Sequence, residues 1–209
     1  VDCPGCMMQI EGGADARGMN VDVKHTATII AEKRGLLNLK STPEALPHYL
    51  DPKNVKLFTE MGVYTKEEME ARYETKLEKY SQILNIEVNT MLEMIYKDIL
   101  PAAYKYMDVV SKTVIDLKSV VPGAKAEAQI SLLSKLDGLV NELSEKAEEL
   151  SKKHLVAKSA GDVMAVARAY VDTVVPAMAE TRAVADSIEP IIGEEYKPFP
   201  CYEDLLYRV

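Results

Sequence analysis

The sequence is poor in the residues that most often carry chemistry. It has no tryptophan, two phenylalanines, three cysteines and three histidines among 209 residues. An odd and sparse set of cysteines is a poor disulfide framework, and the histidines are too scattered for their spacing to suggest a metal cluster. No glycine-rich phosphate-binding loop is present either. We therefore expect that the chain is not an enzyme when acting alone and holds no cofactor.

Other classes of function also lack their usual sequence signals. The formal net charge is −8, and the lysines and arginines are scattered among the acidic residues, so nucleic acid is not an expected partner. No apolar run approaches the length of a membrane span, and the first residues lack the basic and apolar regions of a secretory signal. These observations predict a cytoplasmic protein without membrane contact.

Most of the sequence has the pattern of long amphipathic helices. Thr65 and Glu68 form a capping box ahead of the first, Pro122-Gly123 makes the turn to the second, and Asp162 caps the third. In each helix, apolar residues recur every three or four positions. The stripes are Met69, Tyr73, Leu77, Tyr80, Leu84, Val88, Met91, Ile95 and Ile99; Leu133, Leu136, Val140, Leu143, Ala147, Leu150 and His154; and Val163, Ala167, Tyr170, Val174, Ala177, Thr181, Val184 and Ile188.

Short turns between long helices favour antiparallel packing, which removes the apolar stripes from water. The predicted fold is all-α, an elongated antiparallel bundle of three to four long helices with a short irregular N-terminal appendage. Pro101 and Pro176 should kink or briefly break their helices. The predicted divisions are an N-terminal fragment at 1–32, short helices and a linker at 33–64, the bundle at 65–192, and a docking tail at 193–209.

Several side chains have both a functional and a structural interpretation. Glu87 and Glu93 could perform acid–base work, but a solvated helix face, or hydrogen bonds between helices, is the favoured interpretation. Arg72 follows Glu68 by one helical turn, which suits a surface ion pair, or it could reach a neighbouring domain. His154, at the end of a stripe, is expected to be a bundle-end residue.

The tail contains the apolar residues Tyr202, Leu205 and Leu206 at a terminus, where chains normally fray. Two interpretations stay open. The tail could be an anchor that docks on the base of the bundle or on another subunit. It could also simply pack within the chain.

A series of short motifs gives the chain a recognisable similarity. The motifs are Ala45-Leu46-Pro47, Lys53-Asn54-Val55-Lys56-Leu57-Phe58, Gly62-Val63-Tyr64-Thr65, Leu77-Glu78-Lys79-Tyr80, Lys97-Asp98-Ile99-Leu100-Pro101-Ala102 and Pro198-Phe199-Pro200. In this order they resemble the C-terminal helical domain of type III glutamine synthetases, over about residues 33–209. The resemblance implies a parent enzyme that joins ammonia to glutamate with ATP and magnesium, assembles as stacked rings in the cytoplasm, and carries its catalytic barrel upstream. It implies a structural or assembly role for this domain, with its own catalytic domain or sister subunits as partners.

The first residues have a different similarity. Cys3-Pro4-Gly5-Cys6, followed by Gly12-Gly13 and His25, resembles the end of the cysteine-rich domain of heterodisulfide reductase and glycolate oxidase iron–sulfur subunits. Cys3 and Cys6 have a spacing that can offer two thiolates to iron–sulfur or zinc, although two free thiols is the simpler interpretation. The two similarities meet near Glu32. Alternatives to the assembly domain are thus an iron–sulfur redox subunit fragment and a stand-alone helical adaptor that binds a helix in a groove.

Overall fold

Helices make up most of the part of the chain that the structure, a computed structural model, describes: residues 17–19, 24–200 and 205–206. Chain contacts divide it into two units, Val1–Ala45 and Leu46–Val209. Within the described residues, no helix is both long enough and apolar enough to cross a membrane. The boundaries predicted at residues 32, 64 and 192 stay predictions, since compactness alone does not test them.

Among its described residues, the first unit contains two short helices, α1 (Thr26–Lys33) and α2 (Thr42–Ala45). The His25 ring caps α1 by accepting a hydrogen bond from the Ala27 amide at 3.1 Å. Gly35 follows the helix with a φ of +67°, the left-handed conformation that glycine adopts without steric cost. Both ends of α1 are therefore specified by local sequence.

The second unit begins with short helices and continues into three long helical rods. A 3-10 helix (Leu46–Leu50) and α3 (Pro52–Glu60) precede the first rod. Rod 1 is α4 (Lys66–Met94), a π-turn (Ile95–Ile99) and α5 (Leu100–Val120); rod 2 is α6 (Glu127–Lys158); rod 3 is α7 (Val163–Ala169), a π-turn (Tyr170–Val174) and α8 (Val175–Ile188). A 3-10 helix, Glu194–Tyr196, follows rod 3.

Both prolines inside rods follow a π-turn. A proline removes a helical N–H, and its ring presses on the carbonyl four residues earlier. For Pro101 that carbonyl belongs to Lys97, and for Pro176 it belongs to Asp172; both lie within the π-turns. The wider turn makes room for the ring, so the chain stays helical through Pro101, with a π-helical segment where a kink or a brief break is predicted.

The three rods pack antiparallel, as the connection lengths predict. Lys146 of α6 forms an ion pair with Glu180 at 2.6 Å, whereas His154 hydrogen-bonds Tyr170 at 3.3 Å. Residue number therefore rises along rod 2 while it falls along rod 3. This confirms an all-α bundle.

The predicted apolar stripes form the core of the bundle. Leu77, Leu143 and Val174 are at most 1% exposed. Two clusters of buried residues follow one another along the rods: Ile95, Leu100, Ala103, Leu136, Val140, Leu143, Ala147, Val184, Ile188 and Ile192; and Leu84, Val88, Leu150, Ala157, Tyr170, Val174 and Ala177. Burial of this apolar surface, at about 25 cal/mol per Å², is the main force that holds the rods together.

Candidate functional site

The cysteine pair predicted as a metal site, Cys3 and Cys6, lies outside the described residues, and so does Cys201. Tyr202 of the predicted docking tail lies outside them too, whereas Leu205 and Leu206 are described and are 66% and 72% exposed. Over residues 17–19, 24–200 and 205–206, no group of three or more histidine, cysteine, aspartate or glutamate side chains could hold a metal ion. The metal assignment for Cys3 and Cys6 therefore stays a prediction.

Each histidine has a local structural partner. His25 caps α1. The Nδ1 atom of His48 lies 3.2 Å from the carboxylate of Asp51, three residues later in the sequence. His154 pairs with Tyr170 inside the bundle. These contacts explain all three rings by structural roles.

The pair of His154 and Tyr170 is buried between rods 2 and 3. His154 is 5% exposed and Tyr170 is 1% exposed, so His154, four residues before the end of rod 2, is packed in the core. Burial, with a smaller contribution from the charge of Lys158, holds the pKa of His154 below its usual range. Burial also raises the pKa of the Tyr170 hydroxyl. A neutral imidazole and a neutral phenol sharing one hydrogen bond satisfy each other in an apolar core.

Glu87 and Glu93 do not form a carboxylate pair. Six residues on one helix place them on different faces. The ammonium of Lys97 hydrogen-bonds Glu93 and lowers the pKa of that carboxyl, as expected for a solvated ion pair. Glu87 lies in a groove between rods. Asn85, on the same helix, has a buried Oδ1 atom without a protein partner among the described residues.

The groove beside Glu87 is an apolar concavity of the second unit, with a volume of about 560 Å³. Side chains of rod 1, rod 3 and the segment after Tyr196 line it, and Met94 and Phe199 stay 36% and 38% exposed. Arg182 and Asp186, 3.4 Å apart, lie among the few charged residues on its walls. Such a lining suits an apolar side chain held by a few polar contacts.

A second feature is a cluster of rings and cations beside the start of rod 1. The Phe58 ring centroid lies 6.2 Å from that of Tyr49 and 5.8 Å from that of Tyr64. The guanidinium of Arg72 lies 4.4 Å from the Tyr64 ring centroid, and Lys76 lies 5.0 Å from that of Tyr49. The cluster fixes the short helices against rod 1 by cation–π contacts.

This arrangement corrects the ion pair predicted for Glu68 and Arg72. The Glu68 carboxylate accepts a hydrogen bond from the Thr65 amide at 2.8 Å, as part of the predicted capping box. The Arg72 guanidinium is occupied by the Tyr64 ring. Spacing along one helix missed the contact because Tyr64 precedes that helix and reaches Arg72 only through the turn.

Sequence reasoning also missed the groove. Its walls come from rod 1 and, about ninety residues later, from rod 3 and the segment that follows it, and periodicity within one helix describes only one wall. One signal was present: Ile86 falls outside the first apolar stripe and is 62% exposed on the groove wall. An apolar residue off the stripe marks surface available to another segment.

Comparisons with known proteins extend this description. A family model described as glutamine synthetase C-terminal domain matches residues 27–118. A glutamine synthetase of Butyrivibrio fibrisolvens is 35% identical over 179 residues, which are 86% of this chain and 26% of that protein. A type-3 glutamine synthetase of Dictyostelium discoideum is 30% identical, and a glutamine synthetase of Bacteroides fragilis is 26% identical; each match covers 85% of this chain and 25% of the relative. The chain thus spans about a quarter of the length of these curated relatives.

Proposed function

We propose that the chain is the structural and assembly domain of a type-3-like glutamine synthetase, because residues 27–118 match the family model described as glutamine synthetase C-terminal domain. The observation that carries the proposal is the extent of the similarity. It covers 86% of this chain but only 26% of the relative from Butyrivibrio fibrisolvens. A unit that matches about one quarter of such an enzyme, and whose histidines make structural contacts, is suited to hold other parts together.

The surface of the bundle supports the same role. Ile86, Ile115, Leu155 and Val156 are helical apolar side chains with exposed fractions between 62% and 70%. Exposed apolar residues distributed along rods are typical of surfaces that pack against another domain or subunit. The partners we propose are the catalytic domain of the same enzyme and sister subunits of an oligomer.

The catalytic reaction belongs, in this proposal, to the rest of the parent enzyme. It would join ammonia to glutamate with ATP and magnesium, in the cytoplasm, on residues outside this domain. The chain's own residues contribute rigid packing surfaces, and no step of the reaction is assigned to them. Neither the family model nor the three relatives links the chain to an iron–sulfur subunit.

A chimera tests this function. In the Butyrivibrio fibrisolvens enzyme, the segment that matches this chain is either deleted or replaced by residues 27–209. We expect the deleted enzyme to lose glutamine formation and the chimera to regain it, while this chain alone forms no glutamine from glutamate, ammonia and ATP.

Two controls make the result decisive. A chimera that carries Leu143→Asp, which disrupts the bundle core, should fail to regain activity. A chimera that carries Lys152→Ala, on an exposed face of rod 2, should regain the same activity as the unmodified chimera. Full activity of the deleted enzyme, or glutamine formation by this chain alone, would contradict the proposal.

A further inference from the structure

Rods 1 and 2 extend beyond rod 3 as a two-helix arm, residues 104–135. Rod 3 ends at Ile188, eight residues after Glu180, which pairs with Lys146 of rod 2. Because these two rods are antiparallel, the end of rod 3 lies level with about Gly138, eight residues before Lys146. The arm lies past this level, so rod 3 itself does not cover it.

The burial of side chains shows the same limit. Ala103 and Leu136, at the two ends of the arm, are 0% exposed, whereas no side chain of the arm itself is buried. Ile115 and Ile130 of the arm are 65% and 44% exposed. Two helices alone therefore leave apolar surface in water that a further layer of helices would bury.

One face of the arm has the residue spacing of a surface that packs against helices. Its residues follow one another at steps of three and four, which places each row on one side of its helix, as in the seam of a coiled coil. The rows are Tyr104, Asp108, Ser111, Ile115 and Lys118 on rod 1, and Ile130, Leu133 and Asp137 on rod 2. We call these residues the arm face. All of them except Ile115 and Lys118 line an open groove of about 560 Å³ between the two rods, and those two continue the row of rod 1 toward the turn.

The arm face lies on the side of rod 2 that points away from rod 3. An α-helix turns by about 100° per residue, so Asp137 lies about half a turn around rod 2 from Lys146. Ile130 lies about 160° from Lys146 by the same count. Since Lys146 is the residue that pairs with rod 3, the arm face is open on the opposite side of the bundle.

The unpaired charges of the arm face have opposite signs at its two ends. Asp108 is already paired with Lys112. Neither Lys118 nor Asp137 forms an ion pair with a residue that the structure describes. Lys118 lies near the turn at the tip of the arm, whereas Asp137 lies beside the buried core at its base. The face thus has a cation at one end and an anion at the other.

This arrangement is complementary to itself. Ser111 lies seven residues, or about 10 Å, from both Tyr104 and Lys118. Tyr104 and Asp137 are at the same end of the groove, because the two rods run in opposite directions. A second copy that is turned end for end about a twofold axis at Ser111 therefore places its Lys118 over Asp137 of the first copy, and the reverse pair forms at the same time.

We propose that the arm faces of two copies of this chain pack together, antiparallel, as a four-helix bundle. Ile115, Ile130 and Leu133 of both copies are covered in this contact, and Lys118 of each copy pairs with Asp137 of the other. As a contact between sister subunits, this inference rests on the proposed assembly function and gives it a specific surface. Its test uses this chain without an enzyme, so failure of this contact and failure of the assembly function appear in different experiments.

Equilibrium sedimentation of the full chain, from about 1 µM to about 1 mM, measures the dissociation constant of the dimer. We expect the unmodified chain to dimerise in this range. Ile115→Asp, at a position 65% exposed in the single chain, should weaken the dimer at least about tenfold, because it places a charge in the contact twice. The matched control is Leu155→Asp, at a position 63% exposed on rod 2 but outside the arm, which should leave the dimer unchanged. A chain that stays monomeric over the whole range, or a dimer that Ile115→Asp leaves intact, would overturn the proposal.

An exchange of charges tests the antiparallel arrangement. Lys118→Glu and Asp137→Lys should each weaken the dimer several-fold, because each change places like charges opposite one another at two points. The double variant Lys118→Glu/Asp137→Lys restores both pairs with their signs exchanged and should return to the affinity of the unmodified chain. Both side chains are exposed, so thermal melting of the variants should match that of the unmodified chain. A double variant that binds no better than the single variants would contradict the antiparallel contact.

Discussion

At the residue scale, two buried polar side chains stand out among the described residues, His154 and Thr181. The Thr181 hydroxyl donates to the Ala177 carbonyl at 2.8 Å, and His154 shares its hydrogen bond with Tyr170. Each group is satisfied without water, which is the condition under which polar groups enter an apolar core at small cost. The heptad spacing predicts that both residues lie on the buried face of their helices. It does not predict which groups they hydrogen-bond.

The buried histidine makes stability depend on pH. Burial lowers the pKa of His154 in the folded protein below its ordinary value, so the unfolded chain takes up this proton first as pH falls. Stability from the neutral ring is therefore present above the unfolded pKa and is lost as pH falls toward the folded pKa. We expect the free energy of unfolding to decrease from about pH 8 to about pH 5 less steeply in His154→Gln than in the unmodified chain.

Denaturant unfolding at several pH values measures the two slopes. The other histidines are common to both proteins and cancel in the comparison. Glutamine retains a polar atom for the Tyr170 hydroxyl, so a change of slope reports the titration and not a lost hydrogen bond. Identical slopes would show that His154 takes up its proton as readily in the folded state as in the unfolded one.

At the element scale, rod 1 owes its start to a reciprocal cap. The Thr65 hydroxyl accepts from the Glu68 amide at 3.2 Å, and the Glu68 carboxylate accepts from the Thr65 amide at 2.8 Å. Thr65→Ala should lower the free energy of unfolding by about 1 kcal/mol, the typical value of an N-cap side chain. Thr65→Ser, which keeps the hydroxyl, should lie close to the unmodified chain in urea unfolding. A loss of the same size in both variants would point to the methyl group and not to the cap.

The packing of rod 2 gives a larger effect. Leu143 is fully buried at a stripe position, so Leu143→Asp places an unpaired charge in the core and should cost more than about 4 kcal/mol. Leu155, on the same helix but 63% exposed, is the control: Leu155→Asp should change stability by no more than about 0.5 kcal/mol. Thermal melting followed by circular dichroism compares the two. Similar melting of both variants would mean that the stripe is not the buried face.

The elements also show what the sequence could and could not predict. Leu143 was placed in the core because helix periodicity is local and needs only its own neighbours. The π-turn at Ile95–Ile99 was not predicted, although Pro101 signalled an irregularity, because the response of a helix to proline depends on packing around it. The contact of Arg72 with Tyr64 and the groove at Phe199 depend on segments that meet only in the folded chain.

At the scale of the whole molecule, a helical bundle that exposes apolar side chains such as Ile86 and Val156 is compatible with a domain that acts by binding other protein surfaces. The chain is similar to about a quarter of the length of three glutamine synthetases. The rest of such an enzyme is therefore the partner that we propose for these surfaces. In the proposed function, the surface of the bundle makes the contacts with other parts of the enzyme, and the three buried stripes supply the stability of the fold.

The mass of the enzyme in solution shows whether this chain promotes its assembly. The Butyrivibrio fibrisolvens glutamine synthetase without its matching segment is sedimented alone, with this chain added, and with the Leu143→Asp variant added. We expect the truncated enzyme alone to sediment as small species. Adding the unmodified chain should produce a large assembly that contains it, and adding the variant should leave small species. A large assembly that forms without this chain, or that excludes it, would contradict the proposed assembly function.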